Sequence, residues 1–106
     1  MSYTQVNYED VEPVAGGLYF LRDALDCSQL GVSVIDCDPG WTGKEHDHGE
    51  DGQEEVYVLV EGAAEMAVGG DTVALSQGDA LRVESSTSRQ IRNGETESRF
   101  VVVGAP

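Results

Sequence analysis

Apolar positions in this chain recur with a period of two, and no stretch shows a helical repeat. Leu30, Val32 and Val34 alternate with smaller or polar residues, and Cys37-Asp38-Pro39-Gly40 stops the run. Residues 55–60 (EVYVLV) are strongly β-prone. Residues 63–68 follow and turn at Gly69-Gly70-Asp71 into 72–75, and a break at Gln77-Gly78-Asp79 leads into 80–83. Residues 87–93 and 98–103 complete the series, separated by the turn signal Asn93-Gly94. Short strands with turns at near-regular spacing predict an all-β sandwich or barrel. Residues 1–17 read as an irregular lead-in, and 18–106 as one barrel domain.

In the 55–60 strand, Val56, Val58 and Val60 share one face, while Glu55, Tyr57 and Leu59 share the other. Apart from Glu55 both faces are apolar, so both are expected to be buried. One would line the barrel interior, and the other would meet a second sheet or a second subunit. So short a chain has little material to cover an outer apolar face, which predicts a homodimer.

Charge narrows the possible partners. Twenty acidic residues face six basic ones, for a formal net charge of −14. Such a surface repels phosphate, which argues against nucleic acid and against an anionic membrane leaflet as partners. With 40% hydrophobic residues in periodic runs, the charge does not signify disorder. The first ten residues lack the basic flank and apolar stretch of a signal peptide, and no apolar run approaches the length of about 20 residues that spans a bilayer. A cytoplasmic location is expected, with Cys27 and Cys37 as free thiols.

The chain has only two histidines, in the pair His46-Asp47-His48. In an extended segment residues i and i+2 project to one face, so both imidazoles can reach one point. Two imidazoles and a nearby carboxylate can form a facial metal site with open positions. On spacing alone, the pair also reads as two exposed histidines of a polar loop. No nucleophile elbow, P-loop or dinucleotide fingerprint is present. Trp41, Tyr57 and Phe100 can serve as pocket wall or plain core, and Arg82, Arg92 and Arg99 are expected to pair with surface carboxylates.

The flanking spacing adds to this. Gly40, five residues, His46-x-His48, six residues, Glu55, six residues, Gly62 resembles the first motif of the cupin superfamily, with a longer gap before the Glu than the usual three or four. Glu54 competes for the carboxylate role, but only Glu55 keeps six residues before Gly62. The second cupin motif is similar at Gly78 and Asn93, but Glu84 stands for its Pro, Ser86 for its Gly and Arg89 for its His. The resemblance implies an all-β, single-domain cupin (a double-stranded β-helix, or jelly-roll barrel). It also implies His46, His48 and Glu55 as ligands of a divalent metal (Fe, Mn, Ni or Zn).

Arg89 replaces the family's fourth ligand and cannot act as one, since guanidinium has donors only. Three accounts are open. The metal is held by the other three, with Arg89 swung away or pairing with a substrate carboxylate. Alternatively there is no metal and Arg89 pairs with Glu55. Or a register shift brings Gln90 inward as an oxygen ligand, which strand alternation opposes. Two functions follow: a binding module for a small anionic ligand against Arg89 and Tyr57, or a metal-dependent enzyme of dioxygenase or isomerase type.

Five of the six basic residues are Arg, leaving Lys44 as the only lysine. A lysine-poor, carboxylate-rich surface suits a salt-accumulating cytoplasm, where self-repulsion is screened within about 3 Å at 1 M. The chain is therefore expected to gain thermal stability from dilute buffer to molar KCl; full stability in dilute buffer with no gain in salt would refute a halophilic origin.

Overall fold

The computed structural model describes residues 2–106. Its strands follow the alternation in the sequence: β1 (Leu18–Phe20), β2 (Gly31–Cys37), β3 (Glu54–Glu61), β4 (Ala63–Val68), β5 (Asp71–Ser76), β6 (Ala80–Val83), β7 (Arg89–Asn93) and β8 (Ser98–Ala105). A five-stranded sheet runs β1-β2-β8-β3-β6 and a three-stranded sheet runs β5-β4-β7, with every pairing antiparallel. A stretch of chain before β3 lengthens the smaller sheet. Gly43 N–H donates to Ile91 O, Asn93 N–H to Trp41 O, and His46 and Arg89 exchange backbone bonds of 3.0 and 2.9 Å.

Register builds the interior in rows, because directly paired residues point to the same face. One row of the large sheet holds Leu18, Ile35, Phe100 and Leu59; the next holds Phe20, Ser33, Val102, Tyr57 and Leu81. The row beyond is Gly31, Gly104, Glu55 and Val83. Leu59, Phe100 and Met66 are wholly buried and form one core with Ile91, Leu75 and Val83 from both sheets. Burying such a side chain contributes about 1.5–3 kcal/mol, so this shared core fastens the two sheets together.

The glycines that close the first motif have backbone reasons to be there. Gly40 has φ +78° and Gly62 has φ +88°, conformations that cost an L side chain strain. At Gly62, where the chain leaves β3 for β4, a Cβ would also lie 2.9 Å from Ser98 Cα.

Asn93, at the end of β7, is buried and bonded at both ends of its amide. Its Nδ2 lies 2.7 Å from Asp38 O and 2.9 Å from Thr96 O, and its Oδ1 accepts from Ser98 Oγ at 2.7 Å. It thereby ties the turn after β2 to the β7–β8 connection. Cys37 and Cys27 are free thiols. Burial pushes the Cys37 thiol up to about 11, against the opposing hydrogen bond of Ser98.

The outward face of β3 differs from the expectation of full burial. Val56 and Val58 are only partly covered and Val60, at a register shift, is 42% exposed. No second sheet lies over them, because the smaller sheet packs on the opposite, Tyr57–Leu59 side. Part of this outer surface is covered by the N-terminal segment, which makes a single 3-10 turn at Tyr8–Asp10. The Tyr8 ring meets Tyr19 edge-on at 5.0 Å and lies 5.7 Å from the Arg99 guanidinium.

Candidate functional site

A cavity of about 250 Å³ opens between the sheets, with Glu55, Tyr57, His46, His48 and Arg89 along one side. Glu55 and Tyr57 come from the inward face of β3, two residues apart. Arg89 begins β7, and its backbone pairing with His46 places both side chains on the same face. His48, two residues on, completes the group, and the two imidazole rings lie 5.1 Å apart. One donor atom from each of His46, His48 and Glu55 lies within 4.8 Å of the others.

Each histidine has one ring nitrogen engaged on the protein side. His46 Nδ1 is 3.1 Å from Lys44 O, and His48 Nδ1 is 3.2 Å from Asp51 Oδ2. Opposite a carbonyl, His46 Nδ1 carries the proton, which turns its Nε2 lone pair outward as a ligand. His48 Nε2 lies 3.3 Å from Glu55 Oε1. A metal cation between Nε2 and Oε1 would fit this spacing, since 3.3 Å is the separation of two ligands each about 2.1 Å from a common ion. The donor set thus fits a metal with three protein ligands.

The long gap before Glu55 is a tight turn, closed by Gly52 N–H donating to His48 O at 2.8 Å. It supplies Asp51, whose carboxyl is held below the ordinary carboxylate range by the Gln53 backbone N–H and, more weakly, by His48. Motif spacing shows this loop only as a longer gap and does not single out Asp51. The available signal was an acid three residues after a candidate ligand.

The Arg89 side chain has no exposed surface. Its Nη2 donates to Glu84 O at 2.7 Å. Its Nη1 stands 3.8 Å from Glu55 Oε1, beyond hydrogen-bonding reach, and among the described residues Nε and Nη1 have no hydrogen-bond partner. The residues after β6 hold both halves of the site, since Ser85 O accepts from the His48 backbone N–H at 2.7 Å.

Of the three accounts of Arg89, the register shift is absent. Arg89 and Ile91 point inward, while the Gln90 amide donates to Gly43 O and accepts from Arg92. Nor is Arg89 swung away. Its pairing with Glu55 is loose, and its unpartnered Nε and Nη1 are buried beside the cavity. Tyr57 OH donates to Glu55 Oε1 at 2.8 Å. Trp41 also lines the cavity, whereas Phe100 is core.

Arg82 and Arg99 pair with carboxylates at 2.7 Å (Glu54) and 2.6 Å (Asp36). Arg92 departs from expectation: it meets Gln90 and no carboxylate among the described residues. Strand alternation puts it on the face of Gln90, and although the register sets it opposite Glu65 on β4, the guanidinium turns to Gln90 instead.

Two antiparallel sheets closing over a His-His-Glu group define a double-stranded β-helix barrel with an interior site. The chain belongs to the cupin family, its residues 33–104 matching the Cupin domain. An uncharacterized protein of Streptomyces coelicolor is 28% identical over 89 residues, covering 84% of this chain and 78% of its own length. Among solved structures, a cupin protein from Bacteroides fragilis superposes with TM-score 0.80 at 23% identity, over 99% of this chain and 85% of that one. A predicted oxalate decarboxylase from Thermotoga maritima gives 0.78 at 23% identity, over 96% and 98%. A sugar phosphate isomerase of the cupin superfamily from Silicibacter pomeroyi gives 0.77 at 23%, over 96% and 75%. At this identity the superpositions establish the fold alone.

Burial above all, then the Glu55 carboxylate, pushes the Tyr57 phenol far above its ordinary value of 10.0. A group whose folded pKa is raised contributes stability below its unfolded pKa and loses it as pH climbs beyond. Unfolding free energy is therefore expected to fall more steeply above about pH 10 in the wild type than in Tyr57→Phe, with parallel profiles below about pH 9. Equal slopes above pH 10 would contradict a buried phenol bonded to Glu55.

Proposed function

We propose that this chain is a ligand-binding cupin that holds a small anion in the barrel against Arg89, beside a divalent metal held by His46, His48 and Glu55. Arg89 carries this reading. A wholly buried guanidinium beside a cavity, with N–H groups unpartnered, is costly unless something accepts from them. An incoming anion supplies charge-assisted hydrogen bonds there. Tyr57, fastened to Glu55, is the second group facing that ligand.

The metal reading rests on the donor set. Two imidazoles are oriented through Nδ1, a carboxylate lies 3.3 Å from one of them, and open positions remain. A bound Fe, Mn, Ni or Zn ion would supply Lewis acidity toward a ligand oxygen. Beside Arg89 it also leaves an excess of positive charge that an anionic ligand neutralises.

A metal-dependent enzyme of dioxygenase or isomerase type is the second reading, favoured by those open positions and by the activities named for two of the structural neighbours. It ranks second because the only other acid or base beside the cluster within the cavity wall, apart from exposed Lys44, is Tyr57, whose raised phenol keeps its proton near neutral pH.

A homodimer and a cytoplasmic location complete the proposal. Val32, Val103 and Val56 run in register across the outward face, followed by Val34, Val101 and Val58, without an intervening carboxylate. A second copy would bury this stripe despite the net charge. No helix among the described residues is long and apolar enough to cross a membrane.

Two measurements test these statements. Elemental analysis is expected to find about one equivalent of metal in the wild type and less than about a tenth in His46→Ala. A wild type below a tenth refutes the metal. Light scattering in molar salt is expected to give about twice 11.3 kDa for the wild type and a single mass for Val101→Asp. A monomeric wild type refutes the dimer.

A further inference from the structure

We infer that the ligand is a small monocarboxylate with an apolar body, its carboxylate on Arg89 and its hydrocarbon part against the remaining wall. This rests on the anion-binding reading above and adds the chemistry of the rest of the ligand. The wall away from the Arg89 cluster is mostly Leu18, Phe20, Ile35, Trp41, Ile91 and Val102. Its polar exceptions are few. Gln90 already bonds Gly43 O and Arg92, and Lys44 is exposed at the rim. That leaves Ser33, in register between Phe20 and Val102.

This wall discriminates among anions. A sugar phosphate would bring several hydroxyls against it, and each buried hydroxyl left without a partner costs about 1–3 kcal/mol. A dicarboxylate that extends away from Arg89 and the His46–His48–Glu55 cluster would leave its second charge facing apolar side chains or the weak, solvent-screened charge of Lys44. A hydrocarbon body satisfies the same wall with no polar group stranded.

Size agrees with this. About 250 Å³ is less than most drug-sized sites occupy, and equals the liquid volume of about eight waters, which suits a ligand on the order of ten non-hydrogen atoms. Phe20, 54% exposed, stands at the opening, where the cavity meets a second depression through Phe20, Ser33 and Glu55. An aliphatic or aromatic acid can therefore enter tail-outward, with its carboxylate leading to Arg89.

The single tryptophan, Trp41, lies in this wall and reports occupancy directly. The experiment titrates the intact chain in molar KCl with acetate, butyrate, hexanoate, benzoate, hexanamide, oxalate and glucose 6-phosphate, following Trp41 fluorescence and checking by calorimetry. Hexanoate and benzoate are expected to saturate between about 0.1 and 10 mM. Affinity should rise about fourfold per methylene from acetate to hexanoate. Hexanamide should bind at least about tenfold more weakly than hexanoate.

Arg89→Met should abolish the preference for acid over amide, and Phe20→Ser, at an exposed position of the apolar wall, should flatten the chain-length gradient. If oxalate or glucose 6-phosphate binds more tightly than hexanoate and still depends on Arg89, the apolar-bodied ligand is refuted and the anion site stands. If Arg89→Met, folded by circular dichroism, binds every anion as the wild type does, the anion site itself is refuted. No saturable change with hexanoate or benzoate at about 10 mM overturns the inference.

Discussion

One buried positive charge organises this barrel. A guanidinium removed from water must be compensated by dipoles and charges close at hand, and the protein gives Arg89 only part of what it needs. Glu84 O takes one N–H, and Glu55 stands 3.8 Å from another nitrogen. Room for Glu55 comes from the sheet. It sits in register with Gly104, and Gly104 with Gly31, so two positions that would otherwise carry inward side chains are open. A Cβ on Gly104 would stand 3.0 Å from Glu55 Cγ. The glycines leave the space that the Glu55 and Gln53 side chains occupy beside the cavity.

The site is assembled from two sheets, each with a separate duty. The large sheet presents Glu55 and Tyr57 on one rigid strand, two residues apart, and the phenol's 2.8 Å bond fixes which way the carboxylate faces. The smaller sheet brings His46, His48 and Arg89 along its edge. The segment after β6 couples the two histidine-side elements by holding the His48 backbone through Ser85 O and the Arg89 side chain through Glu84 O. Moving that segment would shift an imidazole and the guanidinium together, so both sides of the candidate site are tied to one loop.

Much of this was legible in the sequence, for identifiable reasons. The strand series could be read because alternation and glycine-marked turns are local properties, and β2 to β8 fall close to the expected places. The short β1 left no periodic signal; it is a three-residue edge held by pairing with β2. His46, His48 and Glu55 were legible from spacing, since an i, i+2 pair on extended chain shares a face. Asp51 was not, because its role depends on a turn whose path no alternation rule describes. The outer valines misled in part, since apolar alternation marks a face as sheet surface without saying what covers it.

The second motif shows the same division. Gly78 and Asn93, the positions that keep the family's residues, serve the backbone: Gly78 has φ +95°, and Asn93 ties together two turns. Position 89, which departs from the family, is buried beside the cavity and takes no part in these fastenings. Fold and site are thus separable in this chain, and the change from His to Arg leaves the scaffold's fastenings in place.

The acidic exterior and the cationic interior also act under different physics. Surface carboxylates are immersed in solvent, so in molar salt their field fades within about 3 Å and scarcely opposes an approaching anion. Arg89 lies out of contact with solvent and is screened far less, so its attraction for a carboxylate inside the cavity persists at ionic strengths that silence the surface. At low ionic strength the same exterior repels anions over tens of ångströms, and a net charge of −14 opposes both entry of the ligand and association of two copies. Concentrated salt therefore removes the long-range barrier to an anion approaching the interior that the proposed function assigns to it.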